Sequence, residues 1–127
     1  MVRYDHGGLP SAGRTPERDG HDGRLIRTLN DAFRRSFVGG QVVETRGVIA
    51  LSEPDRIALC SAVRRFDRFD ADNDSHGEHD FGVVEVAGQQ FFWKIDAYDR
   101  ALLGQSPDPA DPTITVRVLT IMLTEEY

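Results

Sequence analysis

A chain of 127 residues with 39% hydrophobic residues is long enough for one domain with a single core. Its net charge of −6 at pH 7 argues against direct nucleic-acid binding, which needs a basic surface. The one cysteine, Cys60, excludes an intramolecular disulfide and a zinc site built on several thiolates. Without an apolar run that could span a bilayer or act as a secretion signal, we expect a cytoplasmic protein with no membrane partner.

The N-terminal third predicts a tail and a helix. Residues 1–23 are rich in Gly, Pro, Arg and Asp and lack apolar periodicity, so we expect a flexible tail before a single domain over residues 24–127. A helix is predicted over residues 24–38, with Asp22 as its N-cap and Gly39-Gly40 as its stop. The apolar residues that recur there at helical spacing are Ile26, Leu29, Phe33 and Phe37.

A strand and a second helix follow. The segment "QVVETRGVIAL", residues 41–51, is rich in β-branched residues and predicts a strand in which Gly47 marks a bulge. The second helix is predicted to run from Ser52 to about Phe69. Its start is marked by an N-cap serine, a proline in the first turn and a capping-box acid, which are Ser52, Pro54 and Asp55. Its apolar stripe consists of Leu59, Ala62, Val63, Phe66 and Phe69.

The last third predicts three further strands. Residues 80–99 divide at Ala87-Gly88 into a hairpin, and Phe91, Trp93 and Ile95 alternate along its second arm with Phe92, Lys94 and Asp96. After a proline-punctuated loop, β-branched residues at 114–124 favour a strand over a buried helix. The order α-β-α-β-β-β indicates an α+β fold, with an antiparallel sheet of about four strands and two helices packed on one face.

The segment "DADNDSHGEHDFG", residues 70–82, concentrates the candidate chemistry. An EF-hand is rejected because Ser75 stands where the loop needs Gly and Phe81 where it needs a bidentate Glu. A looser Ca²⁺ or Mg²⁺ site stays open. A transition-metal site would use His76 and His79 with a carboxylate, Asp74 first and Glu78 or Asp80 as alternatives, and would leave a coordination position for a hydrolytic water. The cofactor expected on this interpretation is a divalent metal.

Two other interpretations of residues 70–82 need no metal. If the segment is extended, Asp70, Asp72 and Asp74 point the same way and present a row of negative charge to a cationic partner. If it is a connection, its Asp, Asn, Ser and Gly residues serve a polar turn. Lys94 and Asp96 are expected to form an ion pair on one strand face, and Trp93 belongs to the core or to a binding platform. The predicted binding residues are Asp70, Asp72, Asp74, Glu78, Asp80, Trp93, Lys94 and Asp96.

Taken together, "NDAFRRSFVGG", "FDADNDSHGEHDFG", "FFWKIDAYD", "DPADP" and "VRVLTIMLTEEY" resemble a small proteobacterial family, the domain-of-unknown-function family 3768. The resemblance covers about residues 28–127. It implies a gene of the kind often carried on plasmids and other mobile elements. It assigns no catalytic residue and no cofactor to this chain.

Three functional hypotheses follow from the sequence. The first is a non-catalytic binding module or inhibitor that meets a basic protein or nucleoprotein through an acidic surface centred on residues 67–80, with a role against host defence as its extension. The second is a metal-dependent hydrolase that uses residues 70–80. The third is a dimeric structural protein, because the exposed edge of a small sheet often pairs with its copy to form a homodimer.

Overall fold

The computed structural model describes residues 16–127, with side chains described from Asp22 onward. Residues 1–15 lie outside this range, so most of the expected tail stays a prediction. The elements in chain order are α1 (Pro16–Ser36), β1 (Gln41–Glu44), α2 (Arg46–Ile49), α3 (Glu53–Arg64), β2 (Phe81–Val86), β3 (Gln89–Tyr98), β4 (Val116–Leu123) and a final 3₁₀ turn (Thr124–Glu126).

Helix α1 begins eight residues earlier than the sequence pattern predicted. Its first residue is Pro16, whose missing N–H costs nothing in the first turn of a helix. Asp22 therefore lies inside the helix and is buried, so its prediction as the N-cap was wrong. The expected stop is close to the observed one, since Phe37 and Gly39 both adopt positive φ.

The predicted strand over residues 41–51 is wrong in its second half, where α2 follows β1. Gly47 lies in α2 and marks no bulge. A Cβ on Gly47 would stand 2.5 Å from Leu123 Cδ1 and 2.8 Å from Glu126 Oε1. The Glu126 carboxylate accepts hydrogen bonds from Thr45 Oγ1 at 2.6 Å and from the Gly47 N–H at 2.8 Å. The end of the chain therefore holds this turn in place.

Helix α3 starts as the sequence indicates and ends sooner. Ser52 is its N-cap and accepts a hydrogen bond from the Asp55 N–H at 3.3 Å, which satisfies one of the free donors of the first turn. The helix ends at Arg64 and not at Phe69. Phe66 and Phe69 still pack against the core, but from the irregular chain that follows the helix.

The four strands form one sheet in the order β1-β4-β3-β2. Strands β2, β3 and β4 pair antiparallel, whereas β1 pairs parallel with β4. The predicted α+β class is confirmed, and the sheet is mostly rather than wholly antiparallel. The hairpin turn is confirmed at Ala87-Gly88, where both residues have positive φ as a two-residue type I′ turn requires.

The helices cover one face of the sheet, and the core lies between the helices and that face. The alternation predicted for β3 is confirmed, because Phe91, Trp93 and Ile95 are all buried on this face. The other members of the buried cluster are Phe33, Val48, Leu59, Val63, Leu119 and Ile121. Trp93 is fully buried, so it is a core residue and not one of the surface contacts predicted from the sequence.

Substituting Gly82 with Ala tests the packing of this core. A Cβ on Gly82 would stand 2.4 Å from Trp93 Nε1 and 2.9 Å from Phe66 Cζ. We expect the added methyl group to lower the free energy of unfolding by about 1–3 kcal/mol, measured by urea denaturation. Gly23→Ala is the matched control, because its Cβ meets nothing within 4 Å in α1. That variant should gain about 0.5–1 kcal/mol from helix propensity. Equal stability of Gly82→Ala and the parent chain would contradict the packing described.

Candidate functional site

Residues 70–80 form a series of turns between the end of α3 and the start of β2. The N–H of Asp74 donates to the carbonyl of Asp70 at 2.9 Å, and the N–H of Gly77 donates to the carbonyl of Asp74 at 3.0 Å. Gly77 and His79 have positive φ. Because the segment is not extended, it does not present Asp70, Asp72 and Asp74 as the row of charge that an extended chain would form.

Two of these three aspartates serve the local backbone. The Asp70 carboxylate accepts hydrogen bonds from the N–H groups of Asp72 at 2.9 Å and Asn73 at 3.0 Å. The Asp74 carboxylate accepts one from the His79 N–H at 3.1 Å. Asp72 is exposed. The interpretation of the segment as a polar turn therefore describes Asp70 and Asp74 well, because short polar side chains commonly close turns in this way.

The two histidines do not converge. His79 Nδ1 lies 3.0 and 3.1 Å from the two carboxylate oxygens of Asp31, and its Nε2 lies 3.5 Å from Asp74 Oδ2. The His79 ring stacks on Phe69, with 3.7 Å between ring centroids and 5° between planes. His76 is exposed. The predicted ligand set of His76, His79 and Asp74 is not assembled, and among the side chains of residues 22–127 no three His, Cys, Asp or Glu form a group that could hold a metal.

Asp31 is the partner of His79 that the sequence did not reveal. It lies on α1, 48 residues before His79, and also accepts a hydrogen bond from Arg34 at 2.8 Å. Burial raises the pKa of Asp31. The hydrogen bonds from Arg34 and His79, with the charges of both residues, lower it by a larger amount, so the net shift is downward. The i,i+3 spacing of Asp31 and Arg34 was a local signal of their pairing, whereas nothing in the sequence linked Asp31 to residue 79.

Arg34 is fully buried and closes the C-terminal end of α3. Its Nη1 donates to the carbonyl oxygens of Val63 at 3.0 Å, Arg64 at 3.2 Å and Phe66 at 2.9 Å. The guanidinium carbon lies 5.1 Å from the centroid of the Trp93 ring. The last carbonyl groups of a helix lack partners within the helix, so this side chain supplies what the end of α3 needs.

The second half of the acidic segment is also tied to α1. Asn30 Nδ2 donates to the Glu78 carbonyl at 2.9 Å, and Asn30 Oδ1 accepts from Arg117 Nε at 2.8 Å. Burial lowers the pKa of Arg117, while the charge of Glu78 opposes that shift. The carbonyl of Asp80 accepts from the Ile95 N–H at 2.8 Å and so joins the segment to β3. Glu78 and Asp80 are half-buried.

The cysteine shows no activation as a nucleophile. The Cys60 thiol lies 3.6 Å from a carboxylate oxygen of Glu44. Burial raises the pKa of Cys60, and the negative charge of Glu44 raises it further. Because the thiolate is the reactive form, these surroundings disfavour nucleophilic chemistry at Cys60.

The side of the sheet opposite the helices, here called the open face, carries the remaining predicted binding residues. Its side chains include those of Val43, Phe81, Val83, Glu85, Phe92, Lys94, Asp96, Val118 and Thr120, together with Met122, which is only 4% exposed. Val43 is 43% and Val83 42% exposed. Lys94 Nζ lies 2.7 Å from Asp96 Oδ2, the ion pair that the sequence indicated. Tyr127 contacts Phe92 at one corner, with 5.2 Å between ring centroids.

Replacing the buried arginine tests its role. Arg34→Met removes the donor to three carbonyl groups and leaves Asp31 without its closest cation. We expect a loss of about 3–5 kcal/mol in the free energy of unfolding, measured by urea denaturation. Arg35→Met is the matched control, because Arg35 is 63% exposed and 4.0 Å from Asp31. It should change stability by less than about 0.5 kcal/mol. Similar losses in both variants would contradict this role.

The lowered pKa of Asp31 predicts a dependence of stability on acid. Since its folded-state pKa lies below the ordinary value of 3.8, ionised Asp31 contributes stability that is fully present above pH 3.8 and is lost as the pH falls through the folded-state pKa. The urea midpoint of the parent chain should therefore exceed that of Asp31→Asn at about pH 5, and the gap should shrink towards about pH 2. Asp72→Asn, which changes an exposed carboxylate, should show no such gap. A gap for Asp31→Asn that persists at the lowest pH would contradict the assignment.

Comparison with known proteins places the chain in a family. No helix of the described part is both long and apolar enough to cross a membrane. No curated protein and no solved structure matches the chain significantly. A family model described as "Protein of unknown function (DUF3768)" matches residues 44–126, which is more than half of the chain and includes the acidic segment and strands β2, β3 and β4. The match confirms the resemblance seen in the sequence motifs, and the chain belongs to the DUF3768 family.

Proposed function

We propose that this protein is a non-catalytic binding module whose partner is a basic protein, and that it engages this partner through the open face and the exposed carboxylates beside it. The observation that carries the proposal is the open face itself. All the helical residues of the buried core, Phe33, Val48, Leu59 and Val63, lie on the opposite side of the sheet.

The chemistry of the open face fits a protein partner. Apolar side chains lie around a single ion pair, with Phe81 and Phe92 at 5.1 Å between ring centroids next to Lys94 and Asp96. Patches that combine exposed aromatic and aliphatic side chains with a few charges are typical of interaction sites. Antiparallel sheets commonly expose one face to water, so exposure alone indicates no function. The apolar character of this face is what favours a binding site.

The charge of the chain supports a basic partner. The net charge is −6, and the acidic segment, which precedes β2 in the chain, leaves carboxylates such as that of Asp72 exposed. A surface of one sign steers an oppositely charged protein and raises the association rate at low ionic strength. The setting on mobile elements that the family resemblance implied would make a host defence or nucleic-acid-handling protein a suitable partner.

The rival hypothesis of a hydrolase receives less support from the site. Its proposed ligands are divided between an exposed His76 and a His79 that is occupied by Asp31 and Phe69. The Cys60 thiol is held in its protonated form by burial and by Glu44, which raise its pKa. These arrangements serve the packing of the acidic segment and α3 more directly than they serve catalysis.

A quantitative capture experiment tests the proposed function. The parent chain and a variant with Val43→Lys and Asp96→Lys are immobilised in equal amounts and exposed to a nuclease-treated lysate of the source cells. We expect the parent chain to enrich a protein of basic isoelectric point, and the variant to retain at most about a tenth of it, because lysines on the open face repel a basic partner. The bound amount should also fall as salt rises.

The control variant carries the same two kinds of substitution on the other side of the molecule. Glu53→Lys and Ile57→Lys replace one acidic and one exposed apolar residue on α3, where Ile57 is 62% exposed. This variant should capture the partner as the parent chain does, after its thermal stability has been confirmed. A partner retained equally by both variants, a partner lost only on nuclease treatment, or no enrichment by the parent chain would each overturn the proposal.

A further inference from the structure

The outer edge of β2 is an unused hydrogen-bonding surface. β2 is the last strand in the sheet order, and within residues 16–127 no strand pairs with its outer side. Its sequence, FGVVEV, is six residues long, contains one charge and no proline, and includes Val83 at 42% exposure. Edges of this kind pair readily with another strand unless charges, bulges or a covering element prevent it.

A groove runs beside this edge, between β2 and the end of α3. Its volume is about 560 Å³, and Phe66, Val83 and Val84 contribute its apolar wall. If another molecule added a strand to β2, the helices that cover that molecule's sheet would lie next to this groove. The molecule therefore offers both the free backbone groups and the adjacent space that an added strand needs.

The charges that line the groove favour a second copy of this chain. Arg65 and Arg68 are balanced there by Asp67 and Glu85, whereas the chain as a whole carries a net charge of −6. The net charge makes two copies repel each other on average, but this lining holds two arginines and two carboxylates, so it has no net charge and a second copy could pair arginine to carboxylate there. Self-complementarity of this kind is what a two-fold interface requires.

We propose that two copies associate through β2, antiparallel about a two-fold axis perpendicular to the sheet, to form a continuous sheet of eight strands. In such pairing, facing residues point to the same side of the sheet, and an axis through Val83 brings the exposed Val83 side chains of the two copies together. Glu85 of one copy then faces Phe81 of the other, and no like charges oppose each other. The helices of both copies lie on one side, and the two open faces join on the other.

Sedimentation equilibrium with matched lysine variants tests this dimer. Val83→Lys places a charge on the β2 edge, while Val43→Lys places the same charge at an equally exposed valine on β1. We expect the parent chain and Val43→Lys to sediment at twice the mass of one chain at about 100 µM. Val83→Lys should raise the dissociation constant at least about tenfold.

Hydrogen exchange locates the interface independently of the variants. The backbone amides of residues 81–86 that face outward should exchange more slowly as the concentration of the parent chain rises, and those of residues 41–44 should not change. A monomeric parent chain at about 100 µM, equal dissociation of both variants, or concentration-dependent protection confined to other segments would overturn the proposal. Because both substitutions of the capture variant, Val43→Lys and Asp96→Lys, lie outside β2 and should leave this dimer intact, the loss of partner binding and the loss of the dimer are measured separately.

Discussion

The buried guanidinium of Arg34 is the interaction on which the arrangement of this domain depends. A charge removed from water requires hydrogen-bond partners, and the end of α3 and Asp31 provide them for both terminal nitrogens of Arg34, whereas its Nε has none among the described residues. Meeting that requirement fixes how α1 crosses α3. It also places the guanidinium group over Trp93, at the centre of the core. Packing and polar satisfaction thus act on the same residue.

The acidic segment finds hydrogen-bond partners for its crowded carboxylates inside the molecule. His79 lies between Asp31 and Asp74 and is stacked on Phe69, so the segment is folded back onto α1. Asp70 is used by its own backbone. The segment therefore exposes less charge than its composition suggests, because some of its carboxylates stabilise its own turns. This division moves the centre of the proposed binding surface from the acidic segment towards the open face.

The open face and the β2 edge are exposed for the same structural reason. A sheet covered by helices on a single side exposes its second side and its outermost strand together. The binding function and the dimer that we propose use these two adjacent surfaces. A dimer through β2 would join two open faces into one surface, and a partner with two matching sites would then bind more tightly without any new kind of contact.

The sequence by itself determined the features that depend on neighbours a few residues apart: the Ser52 cap, the Ala87-Gly88 turn, the alternation along β3 and the Lys94–Asp96 pair. It also supplied the α+β class, because that follows from the order of such local elements. Only the tertiary structure decided the parallel pairing of β1 with β4, the turn at Gly47 and the joining of Asp31 to His79. These contacts join groups 48 to 79 residues apart along the chain, and no local periodicity records them. Their partners are chosen by which surfaces meet when the core closes.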